Sequence, residues 1–240
     1  MAASLYEKHR AEVKDFLSVC HWLAERRFAT SHGGNLAYKV DDNVYIITPT
    51  RRYKNILVAE DLVFVDIDGR TLEGRRKPSG EMPMYLNFFK HRPDIRSAIH
   101  CHPPWTNAFA IMKENWHMRP LFPENVVEIG PVPVIPYGEP ISQELADNFL
   151  PYLQKYNTFI MENHGITAIS PSDIIRLMHI IDMLEVSSIS ILAALAAGDV
   201  KEIPRDEVEK MERTMKTREL PMIGAPGANK GLVDLYYPEG

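Results

Sequence analysis

Three histidines carry the strongest chemical signal in the chain. His100 and His102 flank Cys101 in an apolar run that reads as a strand. Side chains two apart on a strand share a face, so both imidazoles project together and Cys101 points the opposite way. That pair is close enough to hold one metal ion, although two packed or hydrogen-bonded histidines fit the same pattern. A third candidate ligand shifts the balance. His164 lies in Asn163-His164-Gly165 at a second strand junction, where a glycine permits a tight backbone. Three neutral imidazoles would leave a divalent ion its full charge and an open coordination position, the arrangement of catalytic zinc. His9, His21, His32, His91, His117 and His179 are expected to be surface or core residues.

Carbanion chemistry at such an ion needs a base, and Glu81 is the candidate. It follows Lys77-Pro78-Ser79-Gly80 at the start of a predicted helix, where the dipole and the amide groups favour an anion. An ordinary first-turn glutamate stabilising its helix is the plainer reading of that position. Loop chemistry for an anion lies nearby in sequence pattern. Gly33-Gly34-Asn35 offers backbone amides, Thr48-Pro49-Thr50-Arg51-Arg52 offers hydroxyls and guanidiniums, and Ser79 adds another hydroxyl. Together they could cradle a phosphate or carboxylate, whereas each alone also reads as a turn or a solvated pair.

The rest of the chain must position these groups. It has 240 residues, 45% hydrophobic and 25% charged, with a net charge of −5. That is enough chain for one large core, and its mild acidity argues against nucleic-acid binding. Cys20 and Cys101 are the only cysteines, which excludes a disulfide framework and fits a reducing compartment. Residues 1–13 show no apolar signal core. The longest uncharged apolar stretch, Val186–Gly198, falls short of the roughly 20 residues that span a bilayer. The expectation is a soluble cytoplasmic protein without membrane or nucleic-acid partners.

Periodicity predicts a helix over 5–27 and strands at Leu36–Val40, Val44–Thr48 and Leu62–Ile67. A helix over 81–91 follows, tolerating Pro83 in its first turn. Then come a strand at Ser97–His102, a helix at Trp105–Glu114, and an edge strand near Val132–Pro136 flanked by prolines. Ser142–Tyr156 reads as a helix capped by Ser142, Thr158–Met161 and Ile166–Ile169 as strands, and Ser172–Ala197 as a buried apolar helix. A charged helix at Glu207–Lys216 precedes a Gly/Pro-rich stretch and the apolar, aromatic Leu232–Tyr237. The simplest organisation is a single α+β domain over 1–240. Its tail, about 199–240, is expected to pack at a subunit contact.

The motifs occur in a recognisable order: Gly34-Asn35-Leu36, Ile47-Thr48-Pro49-Thr50, Glu60 to Asp66 with Asp68-Gly69, Lys77 to Glu81, Ile99 to Pro103, and Glu162 to Gly165. Over roughly residues 10–198 this resembles the class II aldolase and adducin family, which includes sugar-phosphate aldolases and an epimerase. The resemblance implies an α/β/α sandwich around a mainly antiparallel sheet, and a homotetramer with active sites between subunits. It also implies a Zn2+ ion, or Mn2+ or Co2+ in its place, on His100, His102 and His164, with Glu81 as the mobile base. The ion would act as a Lewis acid on the enediolate formed when a C–C bond breaks, and Glu81 would transfer the proton beside the carbonyl. Adducin-like members lack the metal histidines, and this chain keeps all three.

Departures from the family pattern bear on the substrate. Arg51 replaces a loop glycine, Ser79-Gly80 replaces a serine pair, and His32 replaces a threonine. The implied anion pocket is Gly34, Asn35, Thr48, Thr50, Arg51, Ser79 and Gly80, and Arg51 could bind a carboxylate or exclude phosphate. The family's acid tyrosine is missing from Leu121-Phe122-Pro123-Glu124. Glu124 is its candidate substitute, and Tyr236 or Tyr237 the candidate for a second family tyrosine, against simple tail packing. The expected activity is retro-aldol cleavage of a small hydroxy-carbonyl compound, a sugar phosphate or sugar acid. Alternatives are decarboxylation of a 3-keto sugar acid, 4-epimerisation of a ketose phosphate, and an adducin-like binding protein.

Overall fold

A computed structural model describes residues 3–238. Eight strands form one sheet in the order β4-β3-β2-β1-β5-β8-β7-β6. They are β1 (Asn35–Asp41), β2 (Val44–Ile47), β3 (Val63–Val65), β4 (Thr71–Glu73), β5 (Ser97–Cys101), β6 (Val134–Ile135), β7 (Thr158–Met161) and β8 (Gly165–Ser170). Every pairing is antiparallel except β6 with β7. The β1–β2 hairpin turns at Asn43, whose φ of 56° lies in the left-handed region that asparagine tolerates. β4 was not foreseen. Thr71 and Leu72 are exposed, so this edge strand lacks the alternation that marks a half-buried one.

Helices cover both faces, giving the α/β/α layering. They are α1 (Leu5–Lys8), α2 (Arg10–Glu25), α3 (Met82–His91), α4 (Thr106–Phe109), α5 (Pro123–Glu128), α6 (Gln143–Asn148), α7 (Leu150–Leu153), α8 (Ile175–Ala197), α9 (Arg205–Thr217) and α10 (Leu232–Tyr236). The period-two alternation of the strands sorts the core. Leu36, Tyr38, Ile99 and Cys101 pack under α2 and α8 with Phe16, Leu23, Leu177 and Leu184. Ala37, Ile47, Val65 and Ala98 face the other way, against Tyr85, Phe88 and Phe149 of the α3–α7 layer. Cys101 therefore turns away from the face that His100 uses, as strand geometry requires.

Three expected helices depart from their bounds, and a fourth helix is new. The N-terminal helix divides at His9 into α1 and α2. The predicted 142–156 helix breaks at Phe149, because Pro151 lacks an N–H and its ring crowds the carbonyl of residue 147. Ser142 does cap α6, accepting from the Leu145 amide at 3.0 Å. The predicted 105–114 helix is only α4, since residues 111–114 are exposed and bury no face. α5 was not foreseen at all.

Helix α8, at 23 residues, is long and apolar enough to cross a membrane by length and composition, so the uncharged-stretch criterion understated it. Here it packs on the sheet through Leu177, Ile181 and Leu184 and buries Glu185, whose carboxylate accepts from the Trp105 and Thr106 amides. The C-terminal segment folds back on its own chain, with Leu232 and Leu235 meeting Val126, Val208 and Met215.

Candidate active site

Strand β5 delivers His100 and His102 at its C-terminal end, and the turn between β7 and β8 delivers His164. His100 lies opposite Asn35 on β1 and Thr167 on β8. The ring centroids are 4.6 Å apart for His100–His102, 4.8 Å for His100–His164 and 5.8 Å for His102–His164. One ligand atom from each can be chosen so that all lie within 4.8 Å of one another. The backbone is trimmed to allow this. A Cβ on Gly165 would stand 2.5 Å from His102 Cδ2 and 2.8 Å from His100 Cε1, and one on Gly33 would stand 2.8 Å from His102 Cε1.

The donor set fits a divalent cation. His100 Nδ1 lies 3.0 Å from the Ile166 carbonyl, which can only accept, so Nδ1 carries the proton and Nε2 is left bare toward the cluster. His102 Nδ1 contacts Thr30 Oγ1 at 3.2 Å. The buried Nδ1 of His164 has no hydrogen-bond partner among the described residues. Burial, reinforced by the neighbouring imidazoles, pushes His102 down to about 3 and His164 down to about 4. Both are therefore neutral near pH 7, the state a metal requires.

Glu81 caps the cluster. It is the residue at the N-cap of α3, yet its side chain makes no capping bond. This corrects the plain first-turn reading, since the carboxylate is turned into the site. Oε1 lies 3.5 Å from His164 Nε2 and Oε2 lies 3.7 Å from His100 Nε2. Asn35 Nδ2 donates to Oε2 at 2.6 Å, and the Tyr85 hydroxyl donates to Asn35 Oδ1 at 2.5 Å. Tyr85 thus fixes the amide that fixes the carboxylate. Burial alone would raise the Glu81 carboxyl. The histidines, His100 foremost, and the Asn35 bond outweigh it and hold the group below its ordinary value. The result is an ionised carboxylate, 8% exposed, aimed at the imidazoles.

A cavity of about 280 Å³ opens over this cluster. Among the residues singled out in the sequence, Gly34, Asn35, Thr50, Arg51, Ser79, Gly80, Glu81, His100, His102 and His164 line it. Arg51 has φ 52°, so the chain keeps a left-handed turn where glycine would be unstrained. Ser79 Oγ accepts from the Glu81 amide at 3.3 Å. Thr48 is not on the cavity wall. Its hydroxyl accepts from the Leu36 amide at 3.2 Å and its side chain is fully buried, so it braces β1 and the 48–50 loop.

Glu124, Tyr236 and Tyr237 also stand elsewhere in this chain. Glu124 is in the first turn of α5, beside a separate depression with Asp182 and Val186. Tyr236 is packed near Trp116 and His117, its hydroxyl's acidity weakened by burial. Tyr237 stacks under Arg205 at 5.1 Å. None of the three reaches the cavity within one chain.

Sequence reading missed Lys54, Tyr85 and Ile141. Tyr85 stands four residues after Glu81, a spacing that puts both on one helix face, so it was findable. Ile141, on the cavity rim, has φ 72°, a strained value for a β-branched residue. Nothing in the local sequence marks Lys54. It is charged, yet only 2% exposed.

Residues 14–188 match the model of the class II aldolase and adducin N-terminal domain. The chain is 30% identical over 157 residues to L-fuculose phosphate aldolase of Methanococcus maripaludis, covering 65% of this chain and 83% of that protein. It is 29% identical over 166 residues to 3-oxo-tetronate 4-phosphate decarboxylase of Pectobacterium atrosepticum, covering 68% and 75% respectively. A solved L-fuculose 1-phosphate aldolase superposes with a TM-score of 0.78 at 26% identity, covering 90% of this chain and 98% of that one. With the matched region spanning most of the sequence and the same layered sheet beneath it, the chain belongs to the class II aldolase and adducin family.

Proposed function

We propose that this protein is a divalent-metal-dependent lyase that breaks a C–C bond next to a carbonyl in a small hydroxy-carbonyl compound bearing a phosphate or carboxylate. The observation that carries this reading is the ionised Glu81, 3.5–3.7 Å from two of three converging imidazoles at the floor of an open cavity. His100, His102 and His164 would hold a divalent ion, Zn2+ being the best match to three imidazoles with Mn2+ or Co2+ as alternatives, and that ion would supply Lewis-acid polarisation of a carbonyl oxygen. Glu81 holds or releases a proton at its carboxylate oxygens, and Asn35 and Tyr85 keep that carboxylate aimed. The Gly33-Gly34 turn, Thr50, Arg51 and Ser79 line the cavity wall, and their amides, hydroxyls and guanidinium would receive the substrate's anionic group. Glu124, Tyr236 and Tyr237, absent from this wall, would act only across a subunit boundary. The family's tetramer and a tail packed at a subunit contact belong to the same proposal, as does a cytoplasmic location.

Retro-aldol cleavage is the first reading. Decarboxylation of a 3-keto acid is the second, favoured by the cationic Arg51 at the cavity and by similarity to a decarboxylase close to that for the aldolase. The test is a screen of the metal-loaded protein against sugar phosphates and keto acids with mass detection. A released aldehyde supports the first reading and released CO2 the second. Turnover of no member of either class by metal-loaded protein would refute the proposal.

A further inference from the structure

Lys54 sits in a short 3-10 turn, Lys54–Ile56, on the wall of the catalytic cavity. Its side chain is almost wholly buried, and its ammonium donates to two neutral carbonyls, Arg52 O at 3.1 Å and His32 O at 3.4 Å. An ammonium has three N–H groups, so at least one is left over. No carboxylate pairs with it among the described residues, and Glu81 acts on it only through space. Cys20 is close enough to act on it, a thiol that burial pushes up to about 12 and so keeps neutral. Desolvation pushes the lysine's own pKa below its ordinary value, the mark of a charge that the protein itself does not compensate.

A buried, uncompensated cation is a liability for folding, and an apolar side chain of similar length would be better tolerated there. A ligand anion would compensate it. We propose that Lys54 is a specificity-determining residue whose ammonium pairs with the phosphate or carboxylate of the substrate in this cavity. The inference rests on the reading that substrate binds over the histidine cluster. It adds a point charge to a wall otherwise made of backbone amides, hydroxyls and Arg51. It also explains why a lysine, rather than a methionine or leucine, fills a position with so little exposure.

The alternative is that Lys54 merely pins the 32–33 turn to the 50–53 loop. Calorimetric titration separates the two, using inorganic phosphate in one arm and malonate in the other. It is run on metal-loaded wild type, Lys54→Met and Lys54→Gln, the last retaining a donor without charge. Metal content and thermal stability are read in parallel. For whichever anion the wild type prefers, both variants should bind about tenfold to a hundredfold more weakly. Metal stoichiometry should be unchanged, and Lys54→Met should melt no lower than wild type. Unchanged anion affinity in both variants would overturn the inference, as would a wild type that binds neither anion. Loss of anion affinity accompanied by a lower melting temperature in both variants would assign the pinning role instead and overturn it too. None of these readouts depends on turnover, so a failed product screen and a failed Lys54 assignment are told apart.

Discussion

Replacing Gly165 by alanine should loosen the metal site more than it damages the fold. The added Cβ would stand 2.5 Å from His102 Cδ2, 2.8 Å from His100 Cε1 and 2.8 Å from the Cys101 carbonyl. Carbon atoms rest at about 3.5–4.0 Å, so both rings must retreat by roughly 1 Å. Productive sites tolerate about 0.5 Å of displacement, and metal–nitrogen distances only about 0.2 Å. Overpacking of this kind costs about 1–3 kcal/mol, which lowers the melting temperature of a chain this size by roughly 2–12 °C. Metal affinity should fall by about 10–100-fold, the range seen when the supports of metal ligands are disturbed. Competition with a chromophoric chelator measures the affinity, and calorimetry measures the melting. A Gly165→Ala protein that holds its metal as tightly as wild type would refute the packing argument.

Glu81→Gln should keep the metal, since Asn35 can still bond the new amide oxygen, while turnover drops by about 10²–10⁴-fold; normal turnover would remove Glu81 from the proton-transfer role. His117 is buried, contacts Ser188 Oγ at 2.8 Å, and is pushed down to about 4 by burial. Its folded pKa lies below the unfolded value of about 6.5, so the unfolded chain binds the extra proton between those values and stability falls as pH drops from 6.5 to 4. Urea unfolding at pH 7 and pH 4.5 should show His117→Phe losing about 2–3 kcal/mol less than wild type over that interval; identical losses would contradict the assignment.

The layered fold and the convergence of three histidines were legible in the sequence, whereas several helix bounds and loop contacts were not. His100 and His102 were readable because strand alternation is a strict period, and the strand expected at 97–102 is observed at 97–101. His164 was readable from the glycine beside it, which the structure shows to be sterically required. Thr48 was misread because its hydroxyl serves the Leu36 amide, a tertiary bond that no local pattern encodes. Lys54 escaped for a related reason, as a lysine in a polar loop looks solvated until the fold closes over it. The helix at 142–156 failed on a local rule instead, since Pro151 breaks it visibly in sequence. Glu124, Tyr236 and Tyr237 came by likeness to relatives, and within one chain none of them meets the cavity.

The convergence of His100, His102 and His164 on one cation is tested most directly by X-ray absorption at the zinc edge of reconstituted protein, with metal content determined on the same sample. One ion per chain with three imidazole nitrogens at about 2.0–2.1 Å is expected, together with loss of the ion in His100→Ala. Substoichiometric metal, or a coordination shell that survives unchanged in His100→Ala, would contradict it.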